Sequence, residues 1–593
     1  MKEFFKIVFA SMVGVFLAGI VCIAIFALFI VGIIAVAGSD KKTEVEPNSI
    51  LRIAFNYSIS ERTPNNPLAG LSFLGDGDKS IGLKDILANI KKAKTDSNIK
   101  GIFLDESAME AGQATIEEIR NALIDFKKSG KFVIAYSEVY NQGFYYLASV
   151  ADKVYLNPKG IFEFKGFKSQ ITFLKGALDK LGVDVQIIKV GTYKSAVEPY
   201  FLTKMSEANR LQVTSYLGSM YDHFLTGISE SRKINKDTLF KYADDMRIQE
   251  PEDALKYKLV DGLKYKDEIL DELKQRTGVN KKDEIKGVEI GEYSGTETNA
   301  DEGADGTSKK RIAIVYASGE IAGGDGDDNS IGSEGISKAL RKVRLDSKVK
   351  AVVLRVNSPG GSSLASDVIW REVMLTKKVK PIIVSMGDVA ASGGYYISCA
   401  ADSIIAEPNT ITGSIGIFAI LPNMQKLFND KLGITFDGVK TGKYADLGDI
   451  SRPLTRDEKL ILQNEVNHGY DDFTKAVAAG RHKTQAYINS IGQGRVWTGE
   501  QALKNGLVDK LGNIDDALKM AAKKAGLKSY KVETFPEQKS IFNKFGLGLN
   551  AEIKAHILKS ELGENYKYYQ QIKGVTQMMR TPQARMPYEV EIH

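Results

Sequence analysis

The sequence contains few of the side chains that bind metals or form disulfides. Its 593 residues include only five histidines and two cysteines, Cys22 and Cys399. Cys22 stands in a long apolar run and Cys399 in a predicted buried helix, so we expect no disulfide between them. His, Cys and Glu form no group with metal-ligand spacing. We therefore expect neither a metal nor another cofactor.

Long runs of one charge are also missing. The chain has 80 Lys and Arg against 74 Asp and Glu, a formal net charge of +6, and these residues are spread along its length. Proteins that bind nucleic acid concentrate positive charge in a patch, and single-strand binders interleave it with aromatic residues. We therefore expect no nucleic-acid partner.

Charge is absent from residues 7–38, which are almost wholly apolar. This run is longer than the roughly 20 residues that cross a bilayer, so it predicts a transmembrane anchor. Ala35-Val36-Ala37 also fits the cleavage site of a secretory signal. The apolar run is about twice as long as a typical signal core, which favours an uncleaved anchor. Lysines flank both of its ends, so the positive-inside rule leaves the orientation open.

The rest of the chain contains one pattern twice. With a shift of 250 residues, "IGLKDILANIKKAKTDSNIKGIFL" from Ile81 aligns with "IGSEGISKALRKVRLDSKVKAVVL" from Ile331 without a gap. The same shift aligns "QGFYYLASVADKVYLNP" from Gln142 with "SGGYYISCAADSIIAEP" from Ser392. Self-similarity over such long segments predicts two copies of one domain.

Each copy alternates short β-branched runs with helix-like stretches, which predicts an α/β domain with a mainly parallel sheet covered on both faces. The predicted organisation is a first domain over 48–282, a linker over 283–310, a second domain over 311–535 and a C-terminal tail over 536–593. The linker is rich in Gly, Ser, Thr and acids, and the tail has no counterpart in the first half.

The two copies differ at positions suited to catalysis. Ser392 of the second copy aligns with Gln142 of the first, at a Ser-Gly-Gly entry to a helix, where a hydroxyl could act as a nucleophile or as a helix N-cap. Lys194 of the first copy aligns with Ala445 of the second, whereas Lys189 has a matching lysine. Lys194 is therefore the candidate base, although a surface lysine is the ordinary alternative.

Glycines and a second serine also separate the copies. Gly360 and Gly361 follow a strand of the second copy, where the first has no glycine pair, and their amides could hold an oxyanion. An ordinary glycine turn is the alternative. Ser414 lies opposite Phe164 and could orient an amine.

One copy thus keeps a serine without a lysine, and the other a lysine without the serine. A Ser/Lys dyad assembled between the domains explains both losses. A free lysine titrates near 10.4, so Lys194 must be about two to three units lower to act as a base near neutral pH. Burial in an apolar site, worth roughly 3 to 4 kcal/mol, could supply that shift.

These segments resemble the bacterial signal peptide peptidase A family, also called protease IV, in its long two-domain form. "VNSPGG", "ASGGYYIS", "TGSIGIF" and "GTYKSAVEPY" match the family pattern. The resemblance implies a ClpP/crotonase-like fold in each copy and a serine endopeptidase that degrades remnant signal peptides after signal peptidase has released them. It also implies a homotetramer with a largely apolar substrate groove.

The resemblance assigns roles and an orientation. Ser392 is the expected nucleophile, Lys194 the general base and Ser414 the hydroxyl that positions the lysine. The amide of Gly361 or Gly360, with that of Gly393, is the expected oxyanion hole. Residues 1–6 are expected in the cytoplasm, the anchor in the bacterial inner membrane and the catalytic domains on the periplasmic side.

Two alternatives stay open at this point. A crotonase-like acyl-CoA enzyme would share the paired-amide oxyanion hole, but it does not predict the Ser/Lys complementarity or the anchor. A membrane scaffold with an inactive peptidase fold would tolerate loss of either dyad residue, and both are present.

Overall fold

The structure is a computed structural model that describes residues 2–37, 45–64, 81–105, 109, 111–293, 308–538 and 582–586. It begins with helix α1 (Lys2–Ala37). Within α1, Lys6–Ile25 has a mean hydropathy of 2.7 and none of the window is buried. Among the described helices, α1 alone is long and apolar enough to cross a membrane, as the apolar run predicts.

The first copy is built around a parallel sheet. Its strands are β1 (Ser49–Ile53), β2 (Ile59–Ser60), β3 (Ile81–Gly82), β4 (Ile99–Asp105), β5 (Phe132–Tyr140), β6 (Lys153–Phe162), β7 (Asp184–Val190), β8 (Gly262–Leu263) and β9 (Gly287–Glu289). Its helices are α2 (Leu83–Thr95), α3 (Gln113–Lys127), α4 (Gln142–Ala148), α5 (Lys175–Leu181), α6 (Glu198–Phe201), α7 (Glu207–Arg232), α8 (Lys236–Asp244), α9 (Pro251–Lys256) and α10 (Lys266–Thr277). Six strands pair in the order β8-β6-β5-β4-β1-β9, all parallel.

The second copy repeats this plan. Its strands are β10 (Arg311–Ser318), β11 (Glu320–Ala322), β12 (Gly326–Asp327), β13 (Ser330–Gly332), β14 (Val349–Ser358), β15 (Gly360–Ser362), β16 (Ile382–Ala391), β17 (Ser403–Ala406), β18 (Ile411–Gly413), β19 (Ile417–Asn423), β20 (Val496–Thr498), β21 (Lys510–Leu511) and β22 (Lys531–Phe535). Its helices are α11 (Ser333–Leu345), α12 (Ser363–Lys377), α13 (Gly393–Ser398), α14 (Arg456–Arg481), α15 (Gln485–Ile491), α16 (Gly499–Lys504) and α17 (Ile514–Lys524). The main path of this sheet runs β20-β18-β16-β14-β10-β22.

The predicted α/β class and the predicted duplication are both confirmed. Helices α11 and α12 begin and end 250 residues after α2 and α3. The central strands β4 and β14 consist almost wholly of buried residues. A continuous apolar run forms such a strand because helices cover both faces of the sheet.

A third sheet joins the two copies. Its order is β12-β13-β11-β15-β23-β19-β7, where β23 is Gln583–Arg585. Strand β7 of the first copy pairs antiparallel with β19 of the second over seven residues, from Asp184 opposite Asn423 to Val190 opposite Ile417. The backbone that follows β7 is therefore delivered directly into the second copy.

Two segments assigned by sequence to the linker and the tail also supply strands. Strand β9 lies within the predicted linker and pairs with β1. Strand β23 lies within the predicted tail and pairs with β15 and β19. The composition of these segments gave no sign of either pairing, since each strand is only three residues long.

A buried ionic cluster holds the copies together away from β7. Arg355 of β14 is 1% exposed and donates to Glu61 at 2.8 Å and to Glu118 at 2.6 Å, both from the first copy. Asp388 of β16 accepts hydrogen bonds from the amide and the hydroxyl of Thr115, at 2.9 and 2.6 Å. Each acid or base of the second copy thus finds its partner in the first.

Candidate active site

Ser392 lies at a sharp turn between strand β16 and helix α13. Its φ and ψ angles are 54° and −113°, a conformation that costs a residue other than glycine roughly 1–3 kcal/mol. Its amide donates to the Gly413 carbonyl at 2.8 Å, and its own carbonyl accepts from the Tyr396 amide at 2.8 Å. These bonds fix the turn, so the direction of the hydroxyl is set by the backbone.

The hydroxyl of Ser392 is not used as a helix cap. Ser392 is at the N-cap position of α13, yet its side chain accepts no hydrogen bond from the first turn. In the first copy, Asn141 precedes the matching helix α4, and its side chain does accept from the Phe144 amide. The N-cap alternative for Ser392 is therefore wrong, and its oxygen is left for another partner.

That partner is Lys194. The Lys194 Nζ lies 2.8 Å from the Ser392 Oγ within the same chain, and both residues are 0% exposed. After β7, Gly191 has a φ of 111° and turns the chain toward the second copy. The Tyr193 amide then donates to the Gln493 carbonyl at 2.8 Å, which fixes the backbone immediately before the lysine.

Burial lowers the pKa of Lys194 well below its ordinary value. The charged form of an amine loses its hydration on burial, and among the described residues no carboxylate forms an ion pair with this one. The Phe418 ring centroid lies 5.9 Å from the Nζ. An amine in such an apolar setting is neutral more readily than a surface lysine, which a general base requires.

Ser414 completes the surroundings of the amine. The Lys194 Nζ donates to the Ser414 carbonyl at 3.2 Å and lies 3.1 Å from its Oγ. Ser414 has a φ of 51° and is fully buried. Three oxygens thus surround the nitrogen and orient it toward Ser392.

The three glycines expected at an oxyanion hole lie together beside Ser392. Gly360 and Gly361 have φ angles of 97° and 157°, which side chains rarely adopt. A Cβ atom added at Gly360 would lie 2.7 Å from the Gly393 amide nitrogen. The amide of Gly360 donates to the Ser358 hydroxyl at 3.1 Å. The structure therefore brings all six sequence-predicted residues into one site.

Sequence comparison missed the loop that clamps Lys194. Gly494 has a φ of 78°, and a Cβ atom there would lie 2.6 Å from the Lys194 Cα. Gln212 of α7 donates to the Tyr193 carbonyl at 3.0 Å and accepts from the Val496 amide at 3.2 Å. The "GQGR" segment was the available signal, because paired glycines often mark a close approach of backbones.

No group of three or more His, Cys, Asp or Glu side chains in the described part of the chain is placed to hold a metal ion.

Comparison with known proteins gives this site a context. The model for peptidase family S49 matches the chain twice, over residues 125–280 and 374–528. The first match includes Lys194 and the second includes Ser392.

Three relatives extend the comparison. The chain is 38% identical to Protease 4 of Salmonella typhi, over 80% of this chain and 77% of that protein. It is 33% identical to the chloroplastic serine protease SPPA of Arabidopsis thaliana, over 83% of this chain and 72% of that protein. It is 34% identical to a putative signal peptide peptidase SppA of Enterococcus faecium, over 46% of this chain and 78% of that protein.

Among solved structures, a ClpP1 mutant from Listeria monocytogenes matches with 18% identity and a TM-score of 0.24, covering 35% of this chain and 94% of that chain. The two family matches fall one in each copy, and relatives in two kingdoms align along most of the sequence. The chain therefore belongs to peptidase family S49 and is a serine protease.

Proposed function

We propose that this serine protease is a membrane-anchored endopeptidase that uses a Ser392/Lys194 dyad to degrade remnant signal peptides after signal peptidase has released them. The observation that carries the dyad is the 2.8 Å separation of the Lys194 Nζ and the Ser392 Oγ in a site without exposed surface. A nucleophile and its base must lie within about 2.6–3.2 Å, and this pair does.

The proposed reaction is acyl transfer. Neutral Lys194 takes the proton of the Ser392 hydroxyl as the Oγ attacks the carbonyl carbon of the peptide. The lysine then gives this proton to the leaving nitrogen as the C–N bond breaks, and an ester remains on Ser392. Water attacks the ester, Lys194 takes a proton from that water and returns it to the Ser392 Oγ, and the acid is released.

Backbone amides hold the negative charge that forms on the carbonyl oxygen. The sequence left Gly360 and Gly361 as alternatives beside Gly393. The bond from the Gly360 amide to Ser358 favours Gly361 and Gly393 as the donors, with Gly360 supplying the tight turn that their approach needs. Ser414 holds the lysine amine toward the hydroxyl. Preorganised amides of this kind are worth about 10²–10³ in kcat.

The substrate, place and assembly complete the proposal. Helix α1 supports an anchor, and a protease fixed to a membrane meets apolar peptides that remain there. We place the catalytic domains on the periplasmic side of the inner membrane and assign a homotetramer, as the family resemblance implies. The family match removes the acyl-CoA alternative, because it is to a peptidase. An inactive scaffold remains an outcome of the experiment.

A serine-directed fluorophosphonate probe and a peptide-cleavage assay test the dyad. The probe is expected to label Ser392, and Ser392→Ala and Lys194→Ala are each expected to lower kcat by at least about 10⁴-fold, as loss of other catalytic-unit residues does. Because the neutral amine is the base, kcat/KM should rise with pH through the lowered pKa of Lys194.

Lys189 supplies the matched control. It lies on β7, five residues before the base, and its amine lies 6.0 Å from the Phe201 ring centroid. Lys189→Ala is expected to keep most of the activity. Full activity in Lys194→Ala would exclude the dyad, and labelling of another serine would move the nucleophile. Loss of all cleavage in the unaltered chain would favour the scaffold.

A further inference from the structure

A segment of the C-terminal tail is inserted beside the proposed catalytic residues. Strand β23 lies between β15 and β19 and runs antiparallel to both. Gly360, Gly361 and Ser362 lie opposite Arg585, Ala584 and Gln583, respectively. Phe418 lies opposite Gln583 on the other side. The tail thus fills a gap between two strands that both belong to the second copy.

The backbone of this strand meets the oxyanion glycines. A Cβ atom added at Gly360 would lie 2.1 Å from the Ala584 carbonyl oxygen, and one added at Gly393 would lie 3.0 Å from the same oxygen. That oxygen therefore lies against both glycines that flank the nucleophile turn. A carbonyl under attack by Ser392 would have to place its oxygen in the same small region.

The hydrogen-bond register supports this position. The Met586 amide donates to the Pro359 carbonyl at 2.7 Å, and the Ser363 amide donates to the Pro582 carbonyl at 3.2 Å. Hydrogen-bonded pairs in an antiparallel ladder recur at every second residue, so Ala584 and Gly361 form the pair between these two. The amide of Gly361 is then directed at the Ala584 carbonyl.

Side chains also fix the segment in this register. Ala584 and Met586 are 1% and 4% exposed, and Met586 joins an apolar cluster that includes Tyr216 of the first copy. The Arg585 Nη1 lies 3.0 Å from the Glu320 Oε1. Contacts of three kinds, from a small residue, a long apolar one and a cation, are what a groove for extended peptides offers.

We propose that residues 582–586 occupy the strand position that a substrate peptide takes, with Ala584 in the place of the residue before the scissile bond. The C-terminal tail is then an intramolecular competitor of the substrate. The inference rests on the proposed function in one respect, which is that Ser392 is the nucleophile. It also implies that good substrates carry a small residue at the Ala584 position and a long apolar residue at the Met586 position.

Truncation measures the competition. One variant ends at residue 581, and its matched control ends at residue 587 and so keeps the strand. The rate of fluorophosphonate labelling at Ser392, located by peptide mass spectrometry, is expected to rise about tenfold or more in the first variant, equivalent to about 1.4 kcal/mol. The control should label at the rate of the full chain. Added peptide TPQARMPY, residues 581–588, should slow the shorter variant again.

A second variant guards against misfolding of the truncated chain. Met586→Asp in the full chain places a carboxylate against the apolar cluster, so the strand should leave and labelling should accelerate. Met586→Leu keeps the apolar contact and should label at the unaltered rate.

The outcomes separate the two proposals. Equal labelling of Ser392 in the full chain, the chain ending at 581 and Met586→Asp would overturn the competitor and leave the nucleophile standing. Absence of labelling at Ser392 in every variant would instead overturn the proposed function. Failure of the peptide to slow the shorter variant would also count against the competitor.

Discussion

Lys194 pays for its reactivity with stability. Its amine is fully buried, and burial lowers its pKa. In the unfolded chain the same amine binds a proton at neutral pH, whereas the folded protein holds it neutral more readily. Folding must therefore release that proton, and the free-energy cost is present at every pH below the unfolded pKa.

Replacement by methionine should reveal this cost. Lys194→Met is expected to abolish peptide cleavage and to raise the melting temperature near neutral pH, by about 2–4 °C for each kcal/mol gained. The gain should shrink as the pH rises toward about 10.4, where the unfolded lysine also loses its proton. Thermal melts across that pH range, with Lys189→Met as the matched control, measure it. A gain independent of pH would contradict the explanation.

Ser392 and Ser414 show a second feature of single residues. Both have positive φ angles, 54° and 51°, in a part of the map that most side chains avoid. Such conformations persist only where the surroundings hold them, and here backbone hydrogen bonds from Gly413 and Arg495 do so. The local sequence supplies the residues, but their conformations come from the strands around them.

At the scale of elements, the base is positioned by a strand and a loop from different copies. Strand β7 carries Lys194 across the interface through its pairing with β19. The loop between α15 and β20 closes over the lysine backbone, and the Gly494 amide donates to the Ile415 carbonyl at 2.7 Å. The amine can reach Ser392 only while both elements stay in register.

Gly494→Ala should therefore impair the reaction more than the fold. The added methyl group would lie 2.6 Å from the Lys194 Cα, so the backbone must move and the amine with it. A displacement near 1 Å can cost about 10²-fold in rate, and we expect kcat to fall by that order with little change in KM. Steady-state kinetics with a fluorogenic peptide measure both constants.

Gly130→Ala is the control for backbone strain alone. Gly130 has a φ of 80°, close to the 78° of Gly494, but a Cβ atom there would meet nothing within 4 Å. Both variants should melt at similarly lowered temperatures, while only Gly494→Ala should lose kcat. Equal kcat values in the two variants would show that the loop does not position Lys194.

At the scale of the whole molecule, a buried arginine links the two copies. Arg355 binds Glu61 and Glu118 at once, and all three side chains are buried. Burial, together with the charge of Glu61, raises the pKa of Glu118, and Arg355 opposes this rise. Burial likewise raises the pKa of Asp388, which Thr115 opposes by hydrogen bonding. These acids depend on partners that only the assembled pair of domains provides.

Arg355→Met is expected to destabilise the protein by about 3–5 kcal/mol, because it leaves carboxylates buried without their cation. An acid with a raised pKa binds more protons in the folded state than in the unfolded state, so stability falls as the pH rises through that pKa. The loss should consequently be larger at about pH 8 than at about pH 5. Thermal melts at both pH values test this expectation.

Arg341→Met provides the comparison. Arg341 is 55% exposed and shares Glu372 with Arg344, so its loss leaves that acid paired. Its melting temperature should stay within a degree or two of the unaltered protein, and the shift should not depend on pH. A loss of the same size in Arg341→Met and Arg355→Met would contradict a special role for the buried cluster.

The sequence by itself determined the duplication, the α/β class and the residues of the candidate site. Apolar periodicity follows from burial on a sheet, and catalytic residues stand out where two otherwise similar copies differ, as at Ser392 and Lys194. These signals are local or internal to the chain. They need no knowledge of how the copies are arranged.

Only the tertiary structure decided how the site is assembled. The pairing of β7 with β19, the clamp at Gly494 and the insertion of β23 all join segments far apart in sequence. Backbone hydrogen bonds make such pairings, and every residue except proline can form them, so side-chain patterns carry little record of the partner. The same holds for Arg355, whose burial beside Glu118 follows from the docking of two complete domains.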